Sequence, residues 1–265
     1  MHMNIDVILC PAEFAALAAR DLSQTTAVVF DVLRATSSML TALKNGAEEI
    51  IPVVEIAEAL AVKQQRPEVL LAGERHGLRI GKELTGGLDF DFGNSPRDFT
   101  PEKVQGKSIA WTTTNGTRAL RACAHAEMVL VGGLLNLDAL KDTIEQLRPK
   151  NLLLVCAGTF ELAAYEDLFA AGALVDELAQ ELPEECLSDS AHLVGLAYNQ
   201  GCTNVGGSWD KAITPCSLNA RRLLANPDLA PDVALCLADA RMPLNAALMK
   251  DGSVRPLRGF GAKLA

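Results

Sequence analysis

The sequence predicts an α/β fold: a largely parallel sheet with helices on both faces. Short β-rich runs alternate with longer Ala- and Leu-rich runs along most of the 265 residues, the order that builds helix-covered sheets. Several β-rich runs are apolar throughout instead of at alternate positions, which suits parallel strands buried on both sides. The order of elements in residues 28–73 then returns in residues 108–158, as if one βαβαβ unit occurred twice.

Taken in order, TTAVVF (25–30) is the first strand, followed by a helix over 35–45. EIIPVV (49–54), a helix over 55–65 and VLLAG (69–73) complete the first unit. The second opens on SIAW (108–111) and a helix over 117–124, continues through MVLVGG (128–133) and a helix over 136–147, and closes on NLLLVCAG (151–158). A longer helix over 162–182 comes next. The helices carry apolar residues at i, i+3 and i+4, and Asn136 is placed to cap the one that starts at Leu137.

The landmarks GAEEIIPV, EIAEAL and VLLAG, after a loop with Thr36, match HAEMVLVG, NLDAL and LLLVCAG, after a loop with Thr117. The pseudo-repeats cover about 25–75 and 105–160, and two copies are too few for a solenoid. Between them, residues 73–106 are Gly-rich, charged and aperiodic; a loop of that length inside a compact domain is functional or disordered. Residues 183–265 are less regular, with a helical stretch SLNARRLLAN (217–226) and an amphipathic run LAPDVALCLADA (229–240). Residues 1–265 together read as a single α/β unit.

A net charge of −9 and a pI near 5.0 argue against nonspecific binding of nucleic acid or anionic membranes, leaving room for a local basic pocket. MHMNIDVILC reaches an acid and then a Pro before an apolar core forms, unlike a signal peptide. The longest apolar runs are too short to span a bilayer. Seven cysteines (10, 123, 156, 186, 202, 216, 236) never form CxxC and read as reduced thiols of a cytoplasmic protein. The four histidines show no HxH or HxxxH spacing, so zinc is not expected.

In an open parallel sheet, ligands bind outside the carboxyl ends of the strands. If the strands ending at Phe30, Gly73, Trp111 and Gly158 are parallel, one edge collects the loops DVLRATSS (31–38), GERHG (73–77), TTTNGTR (112–118) and TFELAAYED (159–167). That edge would hold the carboxylates Asp31, Glu74 and Asp167, the arginines Arg34, Arg75 and Arg118, and the hydroxyls of Thr36, Ser37, Thr112 to Thr114 and Thr117. The mixture suits a small anionic phosphorylated substrate held with a hard cation. Helix-start amides and arginine forks take phosphate oxygens, and carboxylates take Mg2+. A plainer reading is open at each position: Asp31 and Thr36 as turn and cap, Glu74 with Arg75 as a local ion pair, TTTNGT as a capped turn, Glu166 and Asp167 as a solvated helix face.

Other signatures fail on context. Cys216 and Arg222 have C-x5-R spacing, but no glycine between them lets a loop wrap phosphate. DFD (89–91) follows Gly-rich chain, not an apolar strand. No nucleotide-binding glycine loop and no G-x-S-x-G elbow occurs.

Six short motifs stand in register: DVLRATS (31–37), AGER (72–75), DFGNSP (91–96), TTTNGT (112–117), CAG (156–158) and ED (166–167). A weaker tail pattern adds Ser217, Leu223, Asp232, Val233 and Cys236. In this the chain resembles the 2-phosphosulfolactate phosphatase (ComB-like) family, from about residue 4 to 257. The resemblance implies an α/β homodimer and a Mg2+-dependent hydrolase that converts 2-phospho-3-sulfolactate, or a related phosphorylated hydroxy acid, to the free hydroxy acid and phosphate. In that family the reaction is a step toward coenzyme M.

On that footing Asp31, Arg34 and Glu74 are the expected catalytic residues, with Mg2+ between Asp31, Glu74 and Asp167. Arg34 and the amides around Asn115, Gly116 and Thr117 are expected on the phosphoryl oxygens, with Thr36, Ser37 and Thr114 beside them. Arg75, Asn94 and Ser95 are expected to read the carboxylate or sulfonate. Asp31 as covalent nucleophile is a variant. Two alternatives stand: a non-catalytic sensor of a phosphorylated or sulfonated metabolite, and a transferase that keeps the phosphate.

Overall fold

The computed structural model describes residues 3–180, 182–205, 208–238 and 242–259. Ten strands form one sheet: β1 (Asn4–Ile8), β2 (Thr25–Phe30), β3 (Glu49–Pro52), β4 (Leu70–Arg75), β5 (Leu78–Arg79), β6 (Ser108–Thr112), β7 (Met128–Gly132), β8 (Asn151–Cys156), β9 (Ala246–Leu248) and β10 (Val254–Pro256). Their order across the sheet is β1-β8-β2-β7-β9-β10-β3-β6-β4-β5. All six expected strands are present, and the α/β class holds.

The sheet has two parallel halves, β1-β8-β2-β7 and β3-β6-β4. Between them β9 and β10 pair antiparallel with β7, with each other and with β3, so direction reverses. Strands β4 and β6 therefore run opposite to β2 and β8. The expectation of four parallel strands is corrected: apolar runs reveal burial on both faces, not which strands become neighbours.

The two repeats exchange partners. β2, which opens the first, lies between β8 and β7 of the second. β6, which opens the second, lies between β3 and β4 of the first.

Side-chain alternation along the strands puts a core on each face. Val28, Phe30, Leu130 and Leu154 pack with helices Leu137–Leu147, Tyr165–Ala179 and Asp189–Val205. Ala27, Val29, Val131 and Val155 pack on the other side with helices Ala35–Lys44 and Gly116–Ala122. Ile109 and Trp111 of β6 join that second cluster, so these two helices lie across both halves. A third cluster seats helix Ile56–Gln65 on Leu71 and Ala110.

Two helix expectations change. The helix expected over 162–182 begins at Tyr165 because Thr159 and Leu162 first close a tight turn, with Phe160 and Glu161 at positive φ. Asn136 does not cap a helix: its Oδ1 accepts from the Gly133 amide and its Nδ2 donates to Val131 and Leu244 carbonyls. The tail supplies helices Leu218–Leu224 and Ala230–Cys236 close to the expected places. Helix Asp189–Val205 lies in a part that reads as irregular in sequence; it packs on Tyr165–Ala179, where Gly172 has no Cβ to strike the Val194 carbonyl.

The connection over 73–106 is laid along the sheet edge. The Phe92 amide donates to the Leu71 carbonyl and the Leu71 amide to Asp91, which carries Asn94 and Ser95 toward the ends of β2 and β4. Among the described residues no helix is long and apolar enough to cross a membrane.

Candidate active site

A cavity of about 300 Å³ opens where the chain leaves β2, β4, β6 and β8. Of the expected residues, Asp31, Arg34, Glu74, Asn94, Thr114 and Asn115 line it. The loops converge despite the opposed strands because buried carboxylates tie them together.

Asp31 sits where two helices from different repeats begin. It accepts hydrogen bonds from the Ala35 amide (3.1 Å) and from the Gly116 amide. A Cβ at Gly116 would lie 2.7 Å from Asp31 Oδ2 and 2.7 Å from the Ala35 Cβ, so the approach requires glycine. Burial pushes the Asp31 carboxyl up to about 7. Glu74 and Glu166 push the same way, and the two amides pull back only in part.

Glu74 performs the same tying at the next loop, accepting from the Gly77 amide at 2.7 Å and the Thr114 amide at 2.8 Å. Arg34 is buried and donates to Asp232 Oδ2 at 2.6 Å and to the Gly77 carbonyl at 2.8 Å. Asp232 also accepts from Ser95 Oγ and Arg97 Nε, both at 2.7 Å. The Arg34 charge is thus already matched within the protein.

Several expected contacts with substrate or metal are instead structural. Asp167 spends one oxygen on the Val32 amide (2.8 Å) and the other on the Gly158 amide (3.0 Å), behind the cavity. Burial, then Glu166 and Asp31, hold its carboxyl well above the usual range. The set Asp31, Glu74 and Asp167 is not gathered, and among the described residues no three His, Cys, Asp or Glu side chains form a metal-holding group.

Thr36 Oγ1 bonds the amide and carbonyl of Asp31, Ser37 Oγ donates to the Val32 carbonyl, and Thr117 Oγ1 bonds the amide and carbonyl of Thr113. These hydroxyls are turn and cap chemistry and do not reach the cavity. The Gly116 amide faces Asp31, and the Thr117 amide donates to Thr113 Oγ1 at 3.2 Å, so neither is open to phosphate. Arg75 is committed to the carbonyls of Glu74 and Val54 and to Thr112 Oγ1. Ser95 serves Asp232, and Arg118 pairs with Glu161 at 3.0 Å on the surface.

The rest of the polar and aromatic wall comes from residues not singled out in sequence as site residues: His76, Thr159 and Phe160 in two of the expected loops, and Asn219, Arg222 and Asn226 in the tail. Helix Leu218–Leu224 carries Asn219 and Arg222, and Asn226 follows it. Ser217 caps it by accepting from the Ala220 amide, and Ser217 and Asn219 both donate to buried Glu166 at 2.7 Å. Ser217 and Asp232 were visible as a tail pattern, and Arg222 as half of a C-x5-R pair whose cysteine is exposed and does not line the cavity.

A family model described as 2-phosphosulpholactate phosphatase matches residues 14–244, a span that contains every residue lining the cavity. The chain belongs to that family. Its curated relatives in the 2-phosphosulpholactate phosphatase family include a protein named probable 2-phosphosulfolactate phosphatase of Caldanaerobacter subterraneus subsp. tengcongensis, 46% identical over 245 residues, 91% of this chain and 94% of that one. Proteins of the same name from Clostridium tetani (37% over 198 residues, 74% of this chain and 80% of that one) and Caldicellulosiruptor saccharolyticus (41% over 186 residues, 68% and 73%) match as well.

Proposed function

We propose that this chain is a Mg2+-dependent phosphatase that hydrolyses 2-phospho-3-sulfolactate, or a closely related phosphorylated hydroxy acid, to the free hydroxy acid and phosphate. The observation that carries it is Asp31: a carboxylate raised to about 7, lining a cavity where two helix starts and three loops meet, in a chain of a phosphatase family.

A phosphomonoester resists attack because its charge repels nucleophiles, so catalysis consists chiefly of positioning and neutralisation. Arg34 keeps N–H groups beyond those given to Asp232 and Gly77, and these can fork onto phosphoryl oxygens. The Asp232 carboxylate holds the guanidinium in place for that contact. Thr114 and Asn115 offer polar groups on the opposite wall.

The donor chemistry fits a hard cation. Asp31 and Glu74 are buried carboxylates that line the cavity, and the charge of Arg34 beside them is matched by Asp232. Asp31 and Glu74, which line the cavity, would hold Mg2+; when bound it supplies neutralisation and orientation of phosphoryl oxygens. Asp31 is the cavity group whose charge burial disfavours most clearly, and a bound cation would offset that cost by favouring its ionised form. A cytoplasmic homodimer belongs to the same reading and rests on the unpaired cysteines and the family resemblance.

Phosphate release from a panel of phosphorylated hydroxy acids, with and without EDTA, tests the proposal. We expect release from 2-phospho-3-sulfolactate that stops with EDTA and returns with Mg2+. No release from any member of the panel would favour a binding module.

A further inference from the structure

The cavity has an inner end, where Asp31, Glu74 and Arg34 meet, and a wall built by the C-terminal helix and the Thr159–Leu162 turn. If phosphate occupies the inner end, the other negative group of the substrate needs a partner. Of the three residues expected for that task, Arg75 is turned into backbone carbonyls and Thr112, Ser95 serves Asp232, and Asn94 lines the cavity without a charge. Arg34 is matched by Asp232.

Arg222 differs from both. It lines the cavity, and among the described residues it makes no ion pair or hydrogen bond; its guanidinium lies over the Phe160 ring, 5.7 Å from the centroid. Contact with an aromatic face steadies a guanidinium without using its N–H donors. The fork is left open to an anion, in a protein whose net charge is −9.

The placement is built from several sides. Helix Leu218–Leu224 is pinned by Ser217 and Asn219 to buried Glu166, and Asn219 also donates to Thr159 Oγ1 at 2.6 Å. That last bond couples the helix to the turn that carries Phe160. Phe160 itself takes a φ of 54° while half exposed, so the turn holds the ring outward beneath the guanidinium, and no burial holds it there.

We infer that Arg222 is the specificity residue of this cavity, reading the carboxylate or sulfonate that the substrate carries in addition to its phosphate. Planar N–H forks bind either oxyanion through paired hydrogen bonds. A site built for such a group discriminates against esters that lack it. This inference rests on the phosphatase reading only for where the phosphate sits.

The test compares wild type with Arg222→Gln and Arg222→Lys on three esters: 2-phospho-3-sulfolactate, 2-phospholactate and isopropyl phosphate, which has no second anion. Arg222→Gln should raise KM for 2-phospho-3-sulfolactate at least about 10-fold, keep kcat within about 3-fold, and leave kcat/KM for isopropyl phosphate unchanged. Arg222→Lys should recover part of the loss. If 2-phospholactate suffers equally, the carboxylate is the group read; if it does not, the sulfonate is. An equal loss on isopropyl phosphate, or no loss on any ester, overturns the inference.

Calorimetric binding of 3-sulfolactate separates the two claims. If wild type releases no phosphate yet binds 3-sulfolactate, and Arg222→Gln binds it at least about 10-fold more weakly, the phosphatase reading fails while Arg222 keeps its role. Equal binding by the two proteins would refute the role of Arg222.

Discussion

Residues 31–36 and 113–117 make comparable turns, the first one residue longer, with different chemistry. In each, a threonine inside the helix bonds back to the first residue of the turn: Thr36 Oγ1 to the amide and carbonyl of Asp31 at 3.0 and 2.9 Å, Thr117 Oγ1 to those of Thr113 at 3.2 and 3.1 Å. In each, the first side chain accepts a helix-start amide, Asp31 from Ala35 at 3.1 Å and Thr113 from Thr117 at 3.2 Å. Only the carboxylate does more. It reaches the Gly116 amide of the other repeat and faces the cavity, whereas Thr113 is buried and does not line it. The two turns thus differ: the first presents a carboxylate to the cavity, and the second is followed by the Gly116 amide from which that carboxylate accepts.

That contrast can be broken from either side. The largest effect on stability should come from Asp232→Asn, which leaves Arg34 charged and unmatched beside the first turn. Removing one partner of a buried pair costs about 3–5 kcal/mol, read as a lower urea midpoint with an unchanged slope. Gly116→Ala forces a methyl against Asp31 and Ala35 and should cost about 1–3 kcal/mol. It should also lower turnover, because the group displaced is Asp31.

The second turn is the milder target. Thr117→Ala removes the hydroxyl that bonds the Thr113 amide and carbonyl and should cost about 1 kcal/mol with turnover kept within a few-fold. A turnover loss much larger than the stability loss would restore a phosphate-binding role to the second turn.

A further effect concerns pH. Burial raises the folded Asp31 carboxyl to about 7, against 3.8 for an aspartate in water. Between those values the folded chain holds a proton that the unfolded chain has released, so stability from this group is lost as pH rises through the window. Without Mg2+, raising the pH from about 5 to about 8 should lower the Tm of wild type more than that of Asp31→Asn. Asp167 is also raised, in part by Asp31, so the difference between the two proteins reads Asp31 together with its effect on Asp167. Parallel Tm profiles would contradict the raised Asp31.

Much of this was legible in the sequence. The strands at 25–30, 49–54, 69–73, 108–111, 128–133 and 151–158 announce themselves as apolar runs, and the loops after four of them do meet. What the runs could not reveal was the exchange of β2 and β6 between repeats, because the pairing partner of a buried strand is set by tertiary packing. The short strands β9 and β10, which reverse the sheet, carry too few residues to show a period. Within the site, Thr36, Ser37, Thr117, Arg75 and Asp167 turn to the backbone for one reason that sequence does not display. A polar group beside a turn looks the same in sequence whether it faces a ligand or a backbone amide. Arg222 was hidden because its helix reaches the cavity only through Glu166, a carboxylate that reads as helix surface until its burial is seen.

The central claim is that the chemistry resides in the first turn and not in its twin. Phosphate release from 2-phospho-3-sulfolactate, measured with Mg2+ for Asp31→Asn and Thr113→Ala side by side, tests it most directly. The account predicts a loss of at least about 10²-fold for Asp31→Asn, the scale for removing one group that organises charge stabilisation in the transition state, and turnover within a few-fold of wild type for Thr113→Ala. Near-normal turnover by Asp31→Asn, or equal losses in the two proteins, would contradict it.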